Sequence, residues 1–207
     1  MRFLWPLHAL NRLIIRKKSY LHTTGWVNSM KLGYPCSKDG SELPWMNYQV
    51  INFLKERLQN DLNLFEYGSG YSTMFYARLV KSVISVEYDK NWLNLMKTKV
   101  PGNVTLVYQE KDIDKNYCRA IKEFNQDFDV VIVDGRDRVN CVKHSIDKLS
   151  NKGVIILDDS SRDRYTQAFD LTIKAGFRIL TFEGLKPKGS DVDKTTIIYR
   201  DGNCLGI

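Results

Sequence analysis

The sequence predicts an α/β protein with a doubly wound, mostly parallel seven-stranded sheet, a last strand that is antiparallel, and an N-terminal helical arm. Three observations predict this fold class. From residue 62 onward, short apolar runs alternate with longer amphipathic segments, which is typical of strands joined by crossover helices. The runs DVVIV at 129–133 and VIIL at 154–157 lack polar alternation, as strands covered on both faces require. The final run, TTIIY at 195–199, follows a loop too short for a crossover helix and should therefore return antiparallel.

The composition is that of one globular domain. The 207 residues are 43% hydrophobic and 27% charged, which excludes a collagen, a coiled coil and a disordered tail. A domain of this length buries enough core to fold without disulfide bonds or a structural metal. We divide the chain into a basic amphipathic arm with a loop, residues 1–44, and the α/β domain, residues 45–207.

The net charge of +7 lies entirely in the arm. Seven basic residues and no acidic residue precede Asp39, and from there on 24 basic residues balance 24 acidic ones. The neutral domain disfavours a protein that binds nucleic acid along its length.

The cysteines give no sign of disulfide bonds or of a metal site. They are widely spaced, with no CxxC pair and no histidine at a metal-finger spacing: Cys36, Cys118, Cys141 and Cys204. Reduced, mostly buried thiols are expected, which favours an intracellular, cytoplasmic protein.

The first 18 residues predict an amphipathic helix rather than a membrane span. No run approaches the ~20 apolar residues that a spanning helix needs. On a helix, Phe3, Leu7, Leu10 and Ile14 share one face, opposite His8, Asn11, Arg12 and Arg16. This pattern suits peripheral contact with an anionic inner-membrane surface through residues 1–18. The alternative is an arm that packs on its own domain or on the second subunit of a homodimer.

The remaining elements follow in order along the chain. Residues 25–44, with Gly, Pro, Ser and Asn, predict a loop, and a helix is expected to begin near Pro44. Strands are predicted at 62–66, 83–87, 104–107, 130–134, 154–158, 177–182 and 195–199. Helices are predicted at 72–80, 90–99, 114–124, 139–149 and 165–175.

The end of the first predicted strand carries a glycine turn preceded by an acid, EYGSGYST at 66–73. Gly68 and Gly70 would let the backbone approach a ligand, and Ser72 can cap the next helix. A carboxylate at Glu66 would repel a pyrophosphate and attract an ammonium or sulfonium group. Glu87 ends the second strand, where an acid can accept hydrogen bonds from both ribose hydroxyls.

This pattern resembles the first two motifs of the class I S-adenosylmethionine (SAM)-dependent methyltransferases, over about residues 60 to 200. The resemblance implies that SAM is the cofactor and that its methionine part lies at residues 66–70, its ribose at Glu87 and its adenine within 109–114. The implied cofactor-binding residues are Glu66, Gly68, Ser69, Gly70, Ser72, Thr73, Glu87, Tyr88 and Asp134.

Two neighbouring strand ends carry a cluster of acids, Asp134-Gly135-Arg136 and Asp158-Asp159. Oxygen ligands of this kind suit Mg²⁺, and the arrangement resembles the divalent-metal O-methyltransferases, which implies Asp134, Asp158 and Asp159 as metal ligands. Asp159 stands where that family has Asn, and Arg136 adds a positive charge. The alternative is that Asp134 and Asp158 pair with Arg136 or Arg138, while Asp159 or Ser160 caps the next helix.

We expect Asp134, Asp158 and Arg136 to be catalytic, with a carboxylate or a metal helping the acceptor to lose its proton. The Gly25-Trp26 and Pro44-Trp45 segments have flat aromatic faces that suit a sugar ring, and their layout resembles methyltransferases of bacterial glycan synthesis. The predicted function is therefore O-methylation of a small-molecule acceptor, a sugar or lipid-linked glycan. A non-catalytic binding or scaffold protein and an RNA methyltransferase are the alternatives.

Overall fold

The computed structural model of the protein describes residues 5–207. Phe3, predicted on the apolar face of the arm, lies outside the described residues. The helices are α1 (Trp5–Leu10), α2 (Tyr20–Thr23), α3 (Trp26–Leu32), α4 (Tyr48–Arg57), α5 (Tyr71–Ala77), α6 (Lys90–Lys97), α7 (Asn116–Arg119), α8 (Arg138–Ser145) and α9 (Thr166–Lys174). The strands are β1 (Asn63–Tyr67), β2 (Ser82–Glu87), β3 (Val104–Tyr108), β4 (Phe128–Val133), β5 (Leu149–Leu157), β6 (Arg178–Leu185) and β7 (Val192–Tyr199).

The seven strands form one sheet in the order β3-β2-β1-β4-β5-β7-β6. The pairs β3/β2, β2/β1, β1/β4 and β4/β5 are parallel, whereas β7 runs antiparallel to both β5 and β6. The predicted fold class is therefore confirmed, including the antiparallel last strand. β7 is inserted between β5 and β6 rather than added at the edge.

The central strands are apolar without alternation because both faces of the sheet are covered. Val130 and Ile132 of β4 pack into one core, which contains α4 and α5. Val131 and Val133 pack into the other, which contains α8 and α9. The two faces therefore each have a core, and the polar residues collect at the strand ends.

The segment before β1 differs from the predicted loop. Residues 26–32 form α3, because Gly25 and Gly33 take positive φ angles of 92° and 82° and begin and end the helix. The next helix starts at Tyr48, later than predicted, since the Asn47 side chain caps it by accepting from the Val50 amide at 3.0 Å.

The predicted helix at 114–124 is only partly helical. It consists of α7 and a 3₁₀ turn over Ala120–Glu123. The helix at 139–149 likewise ends in a 3₁₀ turn, Ile146–Lys148, and β5 already begins at Leu149.

The arm is helical, as predicted, but its apolar side chains face solvent. α1 continues into a π-helical turn, Asn11–Ile15, which is tied to α2 where Ser19 Oγ donates to the Leu13 carbonyl at 2.7 Å. The exposed apolar residues include Trp5, Leu7, Leu10, Leu13, Ile14 and Ile15. Within residues 5–207 no helix has the length and apolar character needed to cross a membrane. All four cysteines are free thiols, and three of them are buried.

Candidate active site at the carboxyl edge of the sheet

A cavity of about 690 Å³ opens at the carboxyl ends of β1, β2 and β4. This edge is where open α/β sheets bind ligands. The predicted site residues that line it are Gly68, Ser69, Gly70, Ser72, Glu87, Tyr88, Asp134, Arg136 and Asp159. Arg138 and Arg162 add two cations, and Pro35, Trp45, Tyr71 and Trp92 add apolar surface.

The glycine turn after β1 requires glycine at its first position. Gly68 has a φ of 98°, and a Cβ there would lie 3.0 Å from the backbone of Gly135. Its amide donates to the Val86 carbonyl at 2.9 Å. The turn is therefore held tightly between the ends of β2 and β4.

Glu66 does not face the cavity, which corrects the predicted direct contact with the cofactor. Its side chain is fully buried behind the turn and accepts hydrogen bonds from the hydroxyls of Ser72, Thr73 and Ser85. Burial raises the pKa of Glu66 to about 7, although the three hydroxyl donors act in the opposite direction. Thr73 is also behind the turn, where it accepts from the Gly70 amide at 2.9 Å. The two residues stabilise the start of α5.

Glu87 lies where the sequence predicts it, at the end of β2 and in the cavity wall. One carboxylate oxygen accepts from the amides of Tyr88 and Asp89, at 2.8 and 2.9 Å. The other accepts from the Ser69 amide at 3.1 Å and the Ser69 hydroxyl at 3.0 Å. The acid therefore connects the two turns at the ends of β1 and β2.

The acids after β4 and β5 converge as predicted. One carboxylate oxygen each of Asp134, Asp158 and Asp159 lies within 4.8 Å of the other two. Arg138 lies among them: its Nη2 is 2.9 Å from Asp134 Oδ1 and 3.3 Å from Asp159 Oδ2. Of the two arginines that the sequence offered as partners, it is Arg138 that pairs with Asp134.

The donor set does not fit the predicted Mg²⁺ site. Asp159 is held by three cations, since Lys186 and Arg162 pair with it as well as Arg138. Burial pushes the pKa of Asp159 up, but these cations prevail and hold it below its ordinary value. A divalent ion would have to displace side chains that already neutralise the carboxylates. We therefore derive no catalytic step through a metal.

Asp158 is a buried acid rather than a cavity residue. It is only 2% exposed and accepts from Thr195 Oγ1 at 2.6 Å. Burial, followed by the charges of Asp134 and Asp193, raises its pKa far above the ordinary value. A side chain that is buried and does not line the cavity cannot reach an acceptor, so Asp158 does not fit the predicted role of catalytic base.

Of the three clustered aspartates, Asp134 is the most exposed. Its side chain is 26% exposed and lines the cavity beside Gly68 and Gly70. Burial raises its pKa to about 6, and the Arg138 guanidinium acts in the opposite direction. Asp134 is therefore largely ionised near pH 7 and able to accept a proton.

Arg136 is exposed at the mouth of the cavity and makes no ion pair within residues 5–207. Its guanidinium lies 5.3 Å from the centroid of the Tyr88 ring, and Nη2 donates to the Tyr88 hydroxyl at 3.1 Å. The two predicted residues thus hold each other in place.

A second cavity of about 560 Å³ adjoins the first. The two share Gly135, Arg136, Arg138 and Arg162. The second cavity is also lined by the loop after β3, with Ile113, and by the loop after β5, with Arg164 and Tyr165. Part of the range predicted for the adenine contact, residues 109–114, therefore faces this cavity.

Sequence reasoning missed the residues that the β6–β7 hairpin brings to the site. Lys186 lies between Asp159 and Asp193, with its Nζ 3.4 and 3.7 Å from their carboxylates. Asn47 donates to Thr195 at 3.2 Å. For Thr195 the sequence did contain a signal, the predicted antiparallel pairing of residues 195–199 with a neighbouring strand. In the structure this pairing brings Thr195 to the end of β5, because the register pairs Leu157 with Thr196. Lys186 and Asp193 carry no comparable signal.

Comparisons with known proteins agree with this geometry. A family described as a methyltransferase domain matches residues 65–160, which span β1 to the start of the loop after β5. No curated protein is similar enough in sequence to count as a match.

Solved structures show the same fold at low identity. Precorrin-6y C5,15-methyltransferase from Geobacter metallireducens has a TM-score of 0.61 at 18% identity, covering 81% of this chain and 94% of its own. An rRNA methylase from Streptococcus thermophilus has a TM-score of 0.53 at 15% identity, covering 73% and 95%. A Streptococcus mutans protein described as a methyltransferase, in complex with SAH, has a TM-score of 0.52 at 14% identity, covering 72% and 94%.

Proposed function

From the premise that the chain has the Rossmann-like fold of the class I methyltransferases and matches a methyltransferase-domain family over residues 65–160, we propose that it transfers a methyl group from SAM to a hydroxyl of a sugar or lipid-linked glycan. The observation that carries the proposal is the charge of the first cavity. Four carboxylates and three guanidiniums line it, so that its formal net charge is −1. This sign favours a cationic ligand over a phosphorylated one.

The cavity residues fit the cofactor in two places. The turn at Gly68 to Gly70 would receive the methionine part, as the resemblance implies. Glu87 would receive the ribose, whose hydroxyls would replace the Ser69 hydroxyl, because the three amide donors are fixed by the backbone. The SAH complex of the Streptococcus mutans protein supports the same class of cofactor.

Asp134 is the residue that we assign as general base. SAM supplies a methyl group on a cationic sulfur, which keeps the electron pair of the carbon–sulfur bond when the acceptor oxygen bonds to the methyl. The acceptor hydroxyl is a weak acid, and it must lose its proton as the new bond forms. Asp134 takes this proton, and Arg138 holds its carboxylate in position.

The acceptor class is supported by the other side of the cavity mouth. Trp45 is 48% exposed and lines the cavity together with Pro35. The Lys188 ammonium lies 5.7 Å from the centroid of its ring. An exposed aromatic face beside polar groups suits a sugar ring.

Isothermal titration with SAM, SAH and NAD⁺ tests the cofactor assignment. We expect SAM and SAH to bind and NAD⁺, which carries a pyrophosphate, not to bind. Binding of NAD⁺ in place of SAM would contradict the proposal. Failure of SAM to bind would favour the scaffold alternative.

Transfer of labelled methyl from SAM tests the acceptor class. The protein is incubated with polysaccharide, polar-lipid and RNA fractions of a bacterial extract. We expect label in the polysaccharide or lipid fraction. Label in RNA alone would favour the RNA methyltransferase alternative. The similarity of the fold to that of an rRNA methylase is consistent with the same alternative.

We propose further that the arm contacts an anionic membrane surface, which would place the enzyme at the cytoplasmic face of the inner membrane. Its exposed apolar side chains are followed by the exposed cations Arg16, Lys17 and Lys18. The protein should sediment with vesicles that contain phosphatidylglycerol and not with phosphatidylcholine vesicles, and replacing the three cations by Gln should abolish sedimentation. A dimer in solution with no vesicle binding would favour the homodimer alternative.

A further inference from the structure

The second cavity differs from the first in the sign of its charge. Five cationic side chains line it, against the two carboxylates of Asp112 and Asp137, so that its formal net charge is +3. The cations are Lys111, Arg136, Arg138, Arg162 and Arg164. The cavity that is negative and the one that is positive share a wall, so a ligand in one lies close to a ligand in the other.

The acids of the second cavity are already engaged. Asp112 accepts from the amides of Asn116 and Tyr117, at 2.9 and 3.1 Å. Asp137 accepts from the Asp114 amide at 2.8 Å and from the Asn140 side chain at 2.9 Å. Neither forms an ion pair with a cation of the cavity within residues 5–207. Arg138 and Arg162 are paired with Asp134 and Asp159 of the first cavity, which leaves Lys111, Arg136 and Arg164 without a carboxylate partner among the described residues.

Two of the guanidiniums are fixed in position by contacts with tyrosine rings. Arg136 packs on the ring of Tyr88, and Arg164 lies 5.0 Å from the centroid of the Tyr165 ring, donating to its hydroxyl at 3.0 Å. Neither has a carboxylate partner among the described residues. A planar guanidinium fixed on an aromatic ring can offer two parallel N–H groups to an oxyanion at little entropic cost.

We infer that the acceptor carries an oxyanion, a phosphate or a carboxylate, which binds in the second cavity between the loops after β4 and β5. This inference rests on the proposed function. Arg136 and Arg164, which have no carboxylate partner among the described residues, would hold the anion, while the adenine would lie beside Ile113. The shared wall would then bring a hydroxyl of the same acceptor to Asp134, so the anion would set which hydroxyl is methylated.

The test measures binding of inorganic pyrophosphate, and separately of glucuronate, to the SAH-saturated protein by isothermal titration. The test variant is Arg164→Gln, because Arg164 lines only the second cavity. The matched control is Arg178→Gln, an exposed guanidinium at the start of β6, on the opposite edge of the sheet. SAH titration of each variant reports on the cofactor site independently.

We expect one probe to bind, about tenfold weaker in Arg164→Gln, and equally well in the control. The probe that binds distinguishes phosphate from carboxylate. Equal binding of a probe by both variants, or binding of neither probe, would overturn the inference and leave the SAM assignment intact. If pyrophosphate instead displaces SAH, it occupies the glycine turn, and the inference and the proposed function both fail.

Discussion

The two halves of the site hold their acids by different means. At the ends of β1 and β2, which we call the turn side, Glu66 and Glu87 are surrounded by hydroxyls and backbone amides. At the ends of β4, β5 and β7, which we call the ion-pair side, Asp134 and Asp159 are surrounded by Arg138 and Lys186.

The difference matters for what each side can bind. Neutral donors orient Glu87 in the cavity wall without cancelling its charge, so the turn side keeps its attraction for a cation. On the ion-pair side the cations cancel the acids, and the arginines beyond them are left to attract an anion. One edge of one sheet can thus serve a cationic cofactor and an anionic acceptor.

The largest effect is expected from Gly68→Asp on the turn side. The positive φ and the 3.0 Å approach to Gly135 leave no room for a side chain, and the new charge would lie in the turn. SAM binding should be lost in isothermal titration, while Gly102→Asp, where a Cβ would have open space, should bind normally. Undiminished binding by Gly68→Asp would place the cofactor elsewhere.

Arg138→Met should have the next largest effect, on the ion-pair side. It leaves Asp134 and Asp159 without their buried partner, which lowers the free energy of unfolding by about 3–5 kcal/mol. Urea denaturation checks this against Arg178→Met, which breaks an exposed pair with Asp201 and should cost less than about 1 kcal/mol. Similar losses for both variants would mean that the ion-pair side is not a buried network.

Glu66→Gln should change the pH dependence of stability. The folded pKa of Glu66, about 7, lies above its ordinary 4.5, so between these values the unfolded chain releases a proton that the folded chain keeps. The wild type therefore loses stability as the pH rises through this window, and the variant does not. The free energy of unfolding of Glu66→Gln, measured relative to that of the wild type, should rise by about 3 kcal/mol between pH 4 and pH 8. A constant difference would show an ordinary pKa.

Asp134→Asn should lower kcat by about 100-fold, equivalent to about 2.7 kcal/mol, with little change in SAM affinity. The wild-type kcat should fall about tenfold per pH unit below pH 6, because the base must be ionised. Asp158→Asn changes a buried side chain that does not line the cavity and should keep most of the activity. If Asp158→Asn proves the more damaging of the two, the base has been misassigned.

The turn side was predictable from the sequence because its contacts are local. Gly68, Ser69 and Glu87 lie within two consecutive strand ends, and the glycine spacing marks the turn. The side on which Glu66 points was not predictable, since Ser72, Thr73 and Ser85 surround it only once α5 and β2 have packed.

The ion-pair side was predictable only in its acids. Asp134, Asp158 and Asp159 follow buried strands, so the sequence predicts that they lie close together. Aspartates in such a cluster can bind either a metal ion or an arginine. What decides between them is Arg138 on the first turn of α8 and Lys186 on a hairpin almost thirty residues after Asp159. A pattern of residue types along the chain does not choose between these outcomes, and it does not fix a long-range pairing such as that of Lys186 with Asp159.

The insertion of β7 between β5 and β6 also has a consequence for the order of folding. Until β7 is synthesised, β5 has no neighbour on one side and Asp158 has neither Thr195 nor the cover of the hairpin. A nascent chain that ends before residue 192 therefore exposes an open strand edge next to an unsheltered acid. We expect β1 to β5 to form their part of the sheet early, while the chain is still on the ribosome. The site should be completed only in the final step, when the β6–β7 hairpin pairs with β5.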